Sequence, residues 1–155
     1  MLLSLIVPVY NEEELVCQLL AKLAAIHPDI GVDMEVVIVD DGSTDRTAKR
    51  IEAFLSTRGG RMRLIRQPEN RGKGAAVRTG IKASAGDIVI IQDADLEYDP
   101  EDIRHVIAPI LSGESKVVYG SRILREKELG RSGICGLITG KHPHSYVLAY
   151  LGGVA

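Results

Sequence analysis

The sequence has no tryptophan, one phenylalanine and five tyrosines, so aromatic residues make up only 4% of it. So few rings offer no platform on which successive bases could stack. A formal net charge of -2 supplies no broad basic field to follow a phosphodiester backbone. Nucleic acid is therefore not an expected partner. Cysteine is also scarce: Cys17 and Cys135 lie far apart in a chain rich in Lys and Glu, which suits a reducing cytoplasm and two ordinary thiols better than a disulfide framework. No uninterrupted apolar run approaches the ~20 residues that a membrane span needs. The apolar opening lacks a basic n-region and contains Pro8, so it reads as a buried strand and not as a signal peptide. These absences describe a soluble chain, cytoplasmic and at most peripheral at a membrane face.

What is present is enough apolar material for one core: 155 residues, 45% hydrophobic and 26% charged. Strand-length apolar runs alternate with segments of helical period. The series runs strand 2–9, helix 12–26, strand 34–39, helix 44–56, strand 61–66, helix 72–85, strand 87–92, helix 100–111 and strand 116–119. Such alternation predicts an α/β layered fold with a largely parallel central sheet flanked by helices, because parallel neighbours need a crossover. The runs VVIV and IVII have too few polar breaks for a sheet with one wet face. Asn11 is expected to cap the helix opened by Glu12, Glu13 and Glu14, and Asp99 the helix opened by Pro100. A regular core over about 1–122 is followed by a glycine-rich, mobile loop over about 120–143. Ser145 to Leu151 then reads as the opening of an apolar helix, stopped at Gly152 and Gly153. The expectation is a single domain over 1–155 that lacks its C-terminal portion. The exposed apolar face of its last segment would stay disordered or pair with another chain, a second copy in a homo-oligomer included.

In an open α/β sheet, ligands bind beyond the carboxyl ends of the strands, so the residues just after each strand carry the chemistry. After the fourth strand, Asp93-Ala94-Asp95-Leu96-Glu97 puts acids at every second position, on one side of an extended segment. There a hard divalent cation, Mg²⁺ or Mn²⁺, could be held by oxygen and bridge to substrate phosphates. The competing reading is a solvated strand end or a helix cap. Asp40-Asp41-Gly42-Ser43 follows the second strand, where a carboxylate can accept from ribose hydroxyls or a base N–H; the alternative is that Asp41, Ser43 or Asp45 caps the next helix. Ser43 or Thr44 is the preferred cap, leaving the two carboxylates with separate roles. Asn70-Arg71-Gly72-Lys73-Gly74 opens a helix whose amino end favours anions. It fails as a dinucleotide fingerprint because Val77 replaces the third glycine, and as a P-loop because glycine follows Lys73. Lys73 is either a nucleotide contact or a solvated cation, and Arg122 either a diphosphate clamp or a surface charge. His105, His142 and His144 have no evident nucleophile to activate and no metal partner at helical spacing, which leaves hydrolase chemistry without support.

Taken in order, VPVYNEEE, EVVIVDDGSTDRT, NRGKGAAVRTGIKASAGDIVIIQDADLEYDPEDI and VVYGSR resemble successive motifs of the family 2 glycosyltransferases, most closely the polyprenyl-phosphate (dolichol-phosphate) mannosyltransferase branch. The resemblance spans about residues 2 to 122. It implies a GT-A, Rossmann-like nucleotide-sugar-binding fold and an inverting, metal-dependent transfer of a hexose from a nucleotide-sugar, GDP-mannose or UDP-glucose. The acceptor would be a polyprenyl phosphate or another lipid-phosphate or saccharide. Carried over position by position, the family pattern places Pro8, Tyr10, Glu12, Val39 and Asp41 around the nucleoside. Asp93, Ala94, Asp95 and Glu97 fall around the metal and diphosphate, with Asp93 and Asp95 the catalytic pair, and Arg122 falls on the diphosphate. Two departures stand out: Glu97 occupies a position where close relatives often have Gln, and Lys141-His142-Pro143-His144-Ser145 is poorer in arginine than the family's basic helix.

Two rival classes fit parts of the pattern. A phosphatase or phosphotransferase of the haloacid-dehalogenase kind also uses Asp-x-Asp after a strand, but after the first strand and followed by Thr or Val, whereas here Leu96 and Glu97 follow the fourth. A non-enzymatic receiver-like signalling module also gathers acids and a lysine over Mg²⁺.

Overall fold

The computed structural model describes residues 1–25, 32–94, 103–120, 137–138 and 147–151. In chain order the elements are β1 (Leu2–Val9), α1 (Val16–Ala25), β2 (Asp33–Asp40), α2 (Thr47–Arg58), β3 (Met62–Arg66), α3 (Lys73–Ala83), β4 (Ile88–Ile91), α4 (Ile103–Leu111), β5 (Val117–Gly120), β6 (Leu137–Ile138) and β7 (Val147–Leu151). They build one seven-stranded sheet in the order β3-β2-β1-β4-β7-β5-β6. The first four of these strands pair in parallel, while β7 runs antiparallel to both β4 and β5, and β6 antiparallel to β5.

The sheet is buried because its central strands carry little that water could solvate. In β1 every residue from Leu3 to Val9 is buried. Its one polar member before Pro8, Ser4, keeps its hydroxyl satisfied: it donates to Glu35 Oε1 and accepts from the Gly86 N–H at 2.9 Å. Helix α1 buries Val16, Leu19, Leu20 and Leu23, and α4 buries Ile103, Val106, Ile107 and Ile110. Both sets have the i, i+3, i+4, i+7 spacing of one apolar stripe. Each such side chain contributes roughly 1.5–3 kcal/mol when withdrawn from water. On the opposite face, α3 lies against β1 so closely that a Cβ on Gly80 would collide with the Ile6 side chain.

Two local expectations are corrected. Asn11 does not cap α1, which begins at Val16 after a turn in which the Val16 N–H bonds to the Glu12 carbonyl. Asn11 instead sits at φ 53°, and its side-chain oxygen accepts from the Thr44 N–H at 2.9 Å. The described part of the expected helix opening is not helical: Val147–Leu151 is strand β7, inserted between β4 and β5. Nor does it wait for another chain, since both of its ladders are made within this one. A five-residue apolar run is too short for periodicity to separate helix from strand, and two open sheet edges decide the matter. Strand β6 lies within the stretch read as a loop. The proposed cap of Asp99 and Pro100 falls outside the described residues, as do 121–136 and 139–143 of the expected loop.

Candidate functional site

Register brings the carboxyl ends of β1, β2 and β3 to one level, with Val9 opposite Asp40 and Asp40 opposite Arg66, while β4 ends earlier, with Ile91 opposite Ile6. The residues just beyond them surround a cavity of about 310 Å³ lined by Pro8, Val9, Tyr10, Glu12, Asp41, Asn70, Gly72, Lys73, Ala76, Asp93 and Ala94. This is where an open α/β sheet receives ligands. A second cavity of about 270 Å³ lies at the opposite, amino ends of β2 and β3, against the end of α1. It presents no carboxylate beyond Asp33, which is paired with Arg61 at 2.8 Å.

The two consecutive aspartates divide their work. Asp40 is fully buried; its Oδ1 accepts from the Ser43 N–H at 3.0 Å and its Oδ2 lies 3.5 Å from Arg66 Nε, so it builds the turn. Asp41 is 2% exposed and lines the cavity, with Oδ1 accepting from the Arg71 N–H at 3.0 Å. One carboxylate thus anchors the loop that precedes α3 while facing the cavity. That loop comes close: a Cβ on Gly42, at φ 72°, would stand 2.6 Å from the Glu69 carbonyl carbon.

Reciprocal bonds join the loops after β1 and β2. Ser43 Oγ accepts from the Asn11 N–H at 3.0 Å, Thr47 Oγ1 from the Glu12 N–H at 2.8 Å, and Glu13 Oε2 from the Arg46 N–H at 2.9 Å. Helix α2 starts at Thr47, whose N–H is received by Asp45 Oδ1 at 2.8 Å; neither Ser43 nor Thr44 caps it. Burial acts most strongly on the Asp45 carboxyl and would raise its pKa. Hydrogen bonds from the Thr47 side chain and from the Thr47 and Glu13 N–H groups together outweigh it, and the net value falls below the ordinary 3.8. A depressed folded-state pKa means stability that is present above the unfolded value and lost as pH falls through the folded one. Asp45→Asn is accordingly expected to cost about 1 kcal/mol at pH 7, the scale of a lost helix cap. The gap from wild type should close in urea titrations as pH drops below about 4; a gap independent of pH would show that the charge is not involved.

Of the residues singled out from sequence, Pro8, Tyr10, Glu12, Asp41, Lys73, Asp93 and Ala94 meet at this cavity. Val39 does not line it. It is buried beside Pro8 in the register and packs with Val37 and Ala76 under α3. Asp95, Glu97 and Arg122 lie outside the described residues. Val9, Asn70, Gly72 and Ala76 line the cavity without having been singled out as site residues. Asn70 had a readable signal, an Asx turn ahead of a helix, and its side-chain oxygen accepts from the Gly72 N–H at 3.1 Å. Lys73 is ion-paired: Nζ lies 2.6 and 2.8 Å from the two oxygens of Asp93.

The pattern of glycosyl transferase family 2 matches residues 4–144. A dodecaprenyl-phosphate galacturonate synthase from Rhizobium johnstonii is 32% identical over 93% of this chain and 45% of its own length. An undecaprenyl-phosphate 4-deoxy-4-formamido-L-arabinose transferase from Pseudomonas aeruginosa is 38% identical over 72% of this chain and 33% of its own. The chain therefore spans less than half the length of these relatives. Among solved structures, glucosyl-3-phosphoglycerate synthase from Mycobacterium tuberculosis, in complex with Mn²⁺, uridine diphosphate and glucosyl-3-phosphoglycerate, superposes with a TM-score of 0.67 at 26% identity. That likeness covers 96% of this chain and 56% of the other. With these likenesses added to a four-strand parallel sheet flanked by helices, the chain belongs to glycosyl transferase family 2 and has the GT-A fold.

Proposed function

We propose that this chain supplies the donor site for inverting transfer of a hexose from a nucleotide-sugar, GDP-mannose or UDP-glucose, to polyprenyl phosphate. The observation that carries the reading is the cavity where Tyr10, Asp41, Lys73 and Asp93 converge at the strand ends. Tyr10, 44% exposed, offers an aromatic face to a base, and Asp41 a carboxylate to ribose hydroxyls or a base N–H. The amino end of α3 has no acid in its first turn and suits a diphosphate. Asp93 presents both oxygens to a cation, which is the donor chemistry a hard divalent ion requires. Asp93, with Asp95 and Glu97 beyond the described residues, would hold Mg²⁺ or Mn²⁺. When bound, such an ion neutralises charge on the departing nucleoside diphosphate. A polyprenyl-phosphate oxygen is already anionic, so the chain has no need of a strong general base, and Asp95 can serve as a ligand alone. Among the described residues no helix is long and apolar enough to cross a membrane. Action at the cytoplasmic face on an acceptor anchored in the lipid fits that observation.

The haloacid-dehalogenase chemistry does not match the placement of the acids. The first strand ends in Pro8-Val9 followed by Tyr10, with no aspartate for a dehalogenase-type nucleophile. The test is thermal. UDP or GDP at a hundred times its Kd should stabilise the chain by about 2.7 kcal/mol, and only with Mn²⁺ or Mg²⁺ present. Asp93→Asn and Asp95→Asn should each remove that dependence, while Asp33→Asn, at the far end of the sheet, should keep it. Equal shifts in EDTA and in Mn²⁺ would refute the metal bridge.

A further inference from the structure

Lys73 occupies an unfavourable place for a lone cation. It is the first residue of α3, where the helix dipole and unpaired N–H groups repel positive charge. Its side chain reaches from there to Asp93, holding both carboxylate oxygens at 2.6 and 2.8 Å. The other cation of this loop is turned elsewhere, since Arg71 Nε lies 3.2 Å from Glu69 Oε1. A divalent ion ligated by Asp93 would take at least one of the oxygens that Lys73 now holds, and would repel the ammonium at close range. The nearest new anion for that ammonium is a diphosphate seated at the same helix end.

We propose that Lys73 and the divalent ion are alternative partners of Asp93, so that metal entry releases the Lys73 ammonium to the donor diphosphate. One side chain would thus compete with the metal and cooperate with the nucleotide, which makes the two bind in favour of each other. This rests on the donor-site reading above, and a charged side chain on an exposed stem has the reach to do both.

The experiment is calorimetry on the whole chain, with Mn²⁺ alone and then with UDP and GDP at saturating Mn²⁺. Lys73→Met should bind Mn²⁺ alone about fivefold more tightly, the worth of one partly exposed ion pair. The same variant should bind the nucleotide about tenfold more weakly, the worth of one charge-assisted contact. Arg71→Met, which removes a neighbouring charge without touching Asp93, should leave the affinity for Mn²⁺ alone unchanged. Opposite changes for the two ligands in Lys73→Met alone would establish the exchange. Equal Mn²⁺ affinity in wild type and Lys73→Met, or equal tightening in Arg71→Met, would overturn it while the donor site stands if the nucleotide still binds with Mn²⁺. If neither nucleotide binds any variant in the presence of Mn²⁺, the donor reading fails and the exchange falls with it.

Discussion

Gly42→Ala is expected to lower the free energy of unfolding by roughly 2–5 kcal/mol and to weaken nucleoside diphosphate binding more than tenfold. Two costs add at this position. At φ 72° an alanine pays about 1–2 kcal/mol for the left-handed conformation. The new Cβ would also stand 2.6 Å from the Glu69 carbonyl carbon, 2.7 Å from the Asn70 nitrogen and 2.9 Å from the Glu69 Cα. All three are backbone atoms, so no rotamer change relieves the contact and the loop must shift, at about 1–3 kcal/mol for overpacking. The shift moves the site itself. Asn70, Gly72 and Lys73 line the cavity, and the Arg71 N–H is the partner of Asp41. A displacement near 1 Å there breaks the alignment between the aspartate and the amino end of α3. Gly60→Ala separates the two costs, because Gly60 has φ 50° but no atom within 4 Å of its Cβ direction. It should lose only about 1 kcal/mol in urea denaturation and keep its nucleotide affinity. Matching losses at the two glycines would mean that the seating of residues 67–72 against the second strand's loop has no part in binding.

The contrast between these glycines shows where sequence reading stops. Strand β1 and the parallel core are legible because Leu2 to Val9 and Val36 to Val39 leave no polar face, and that pattern has one solution. The gathering of Tyr10, Asp41 and Asp93 is legible through the rule that ligands meet strand carboxyl ends, which needs no side-chain detail. The partners of individual side chains are not. Asn11, Ser43 and Asp45 all have the chemistry of helix caps. Asn11 and Ser43 serve instead as clamps between two loops some thirty residues apart, and Asp45 joins the same loops through the Glu13 N–H while accepting from the first N–H of α2. The family resemblance places Val39 at the nucleoside, and its side chain packs under α3, as strand alternation between Ile38 and Asp40 requires. The Lys73–Asp93 pair joins residues from different crossovers, and local spacing carries no trace of it.

Strand β7 is the largest departure from the sequence reading, and it has a sharp consequence: Ala149→Pro should cost about 3 kcal/mol or more. Ala149 lies opposite Ile90 on one side and Val118 on the other. A residue in a central strand directs its N–H to one neighbour or the other. Proline therefore deletes a ladder bond whichever neighbour it is, and leaves an acceptor unpaired in the sheet interior. The consequence reaches the site through β4, whose continuation is Gln92-Asp93-Ala94, with the Gln92 N–H bonded to the Ile6 carbonyl at 2.8 Å. Loosening the β4–β7 ladder should make the amides of Ile88 to Ile90 exchange faster with solvent, while those of the β1–β2–β3 ladders keep their protection. Urea denaturation gives the energy and hydrogen exchange gives its location. A loss below about 0.5 kcal/mol, the scale of an ordinary surface substitution, would show that residues 147–151 do not hold the sheet together. The β4 strand would then need another partner, and the expectation of pairing with a second chain would regain its force.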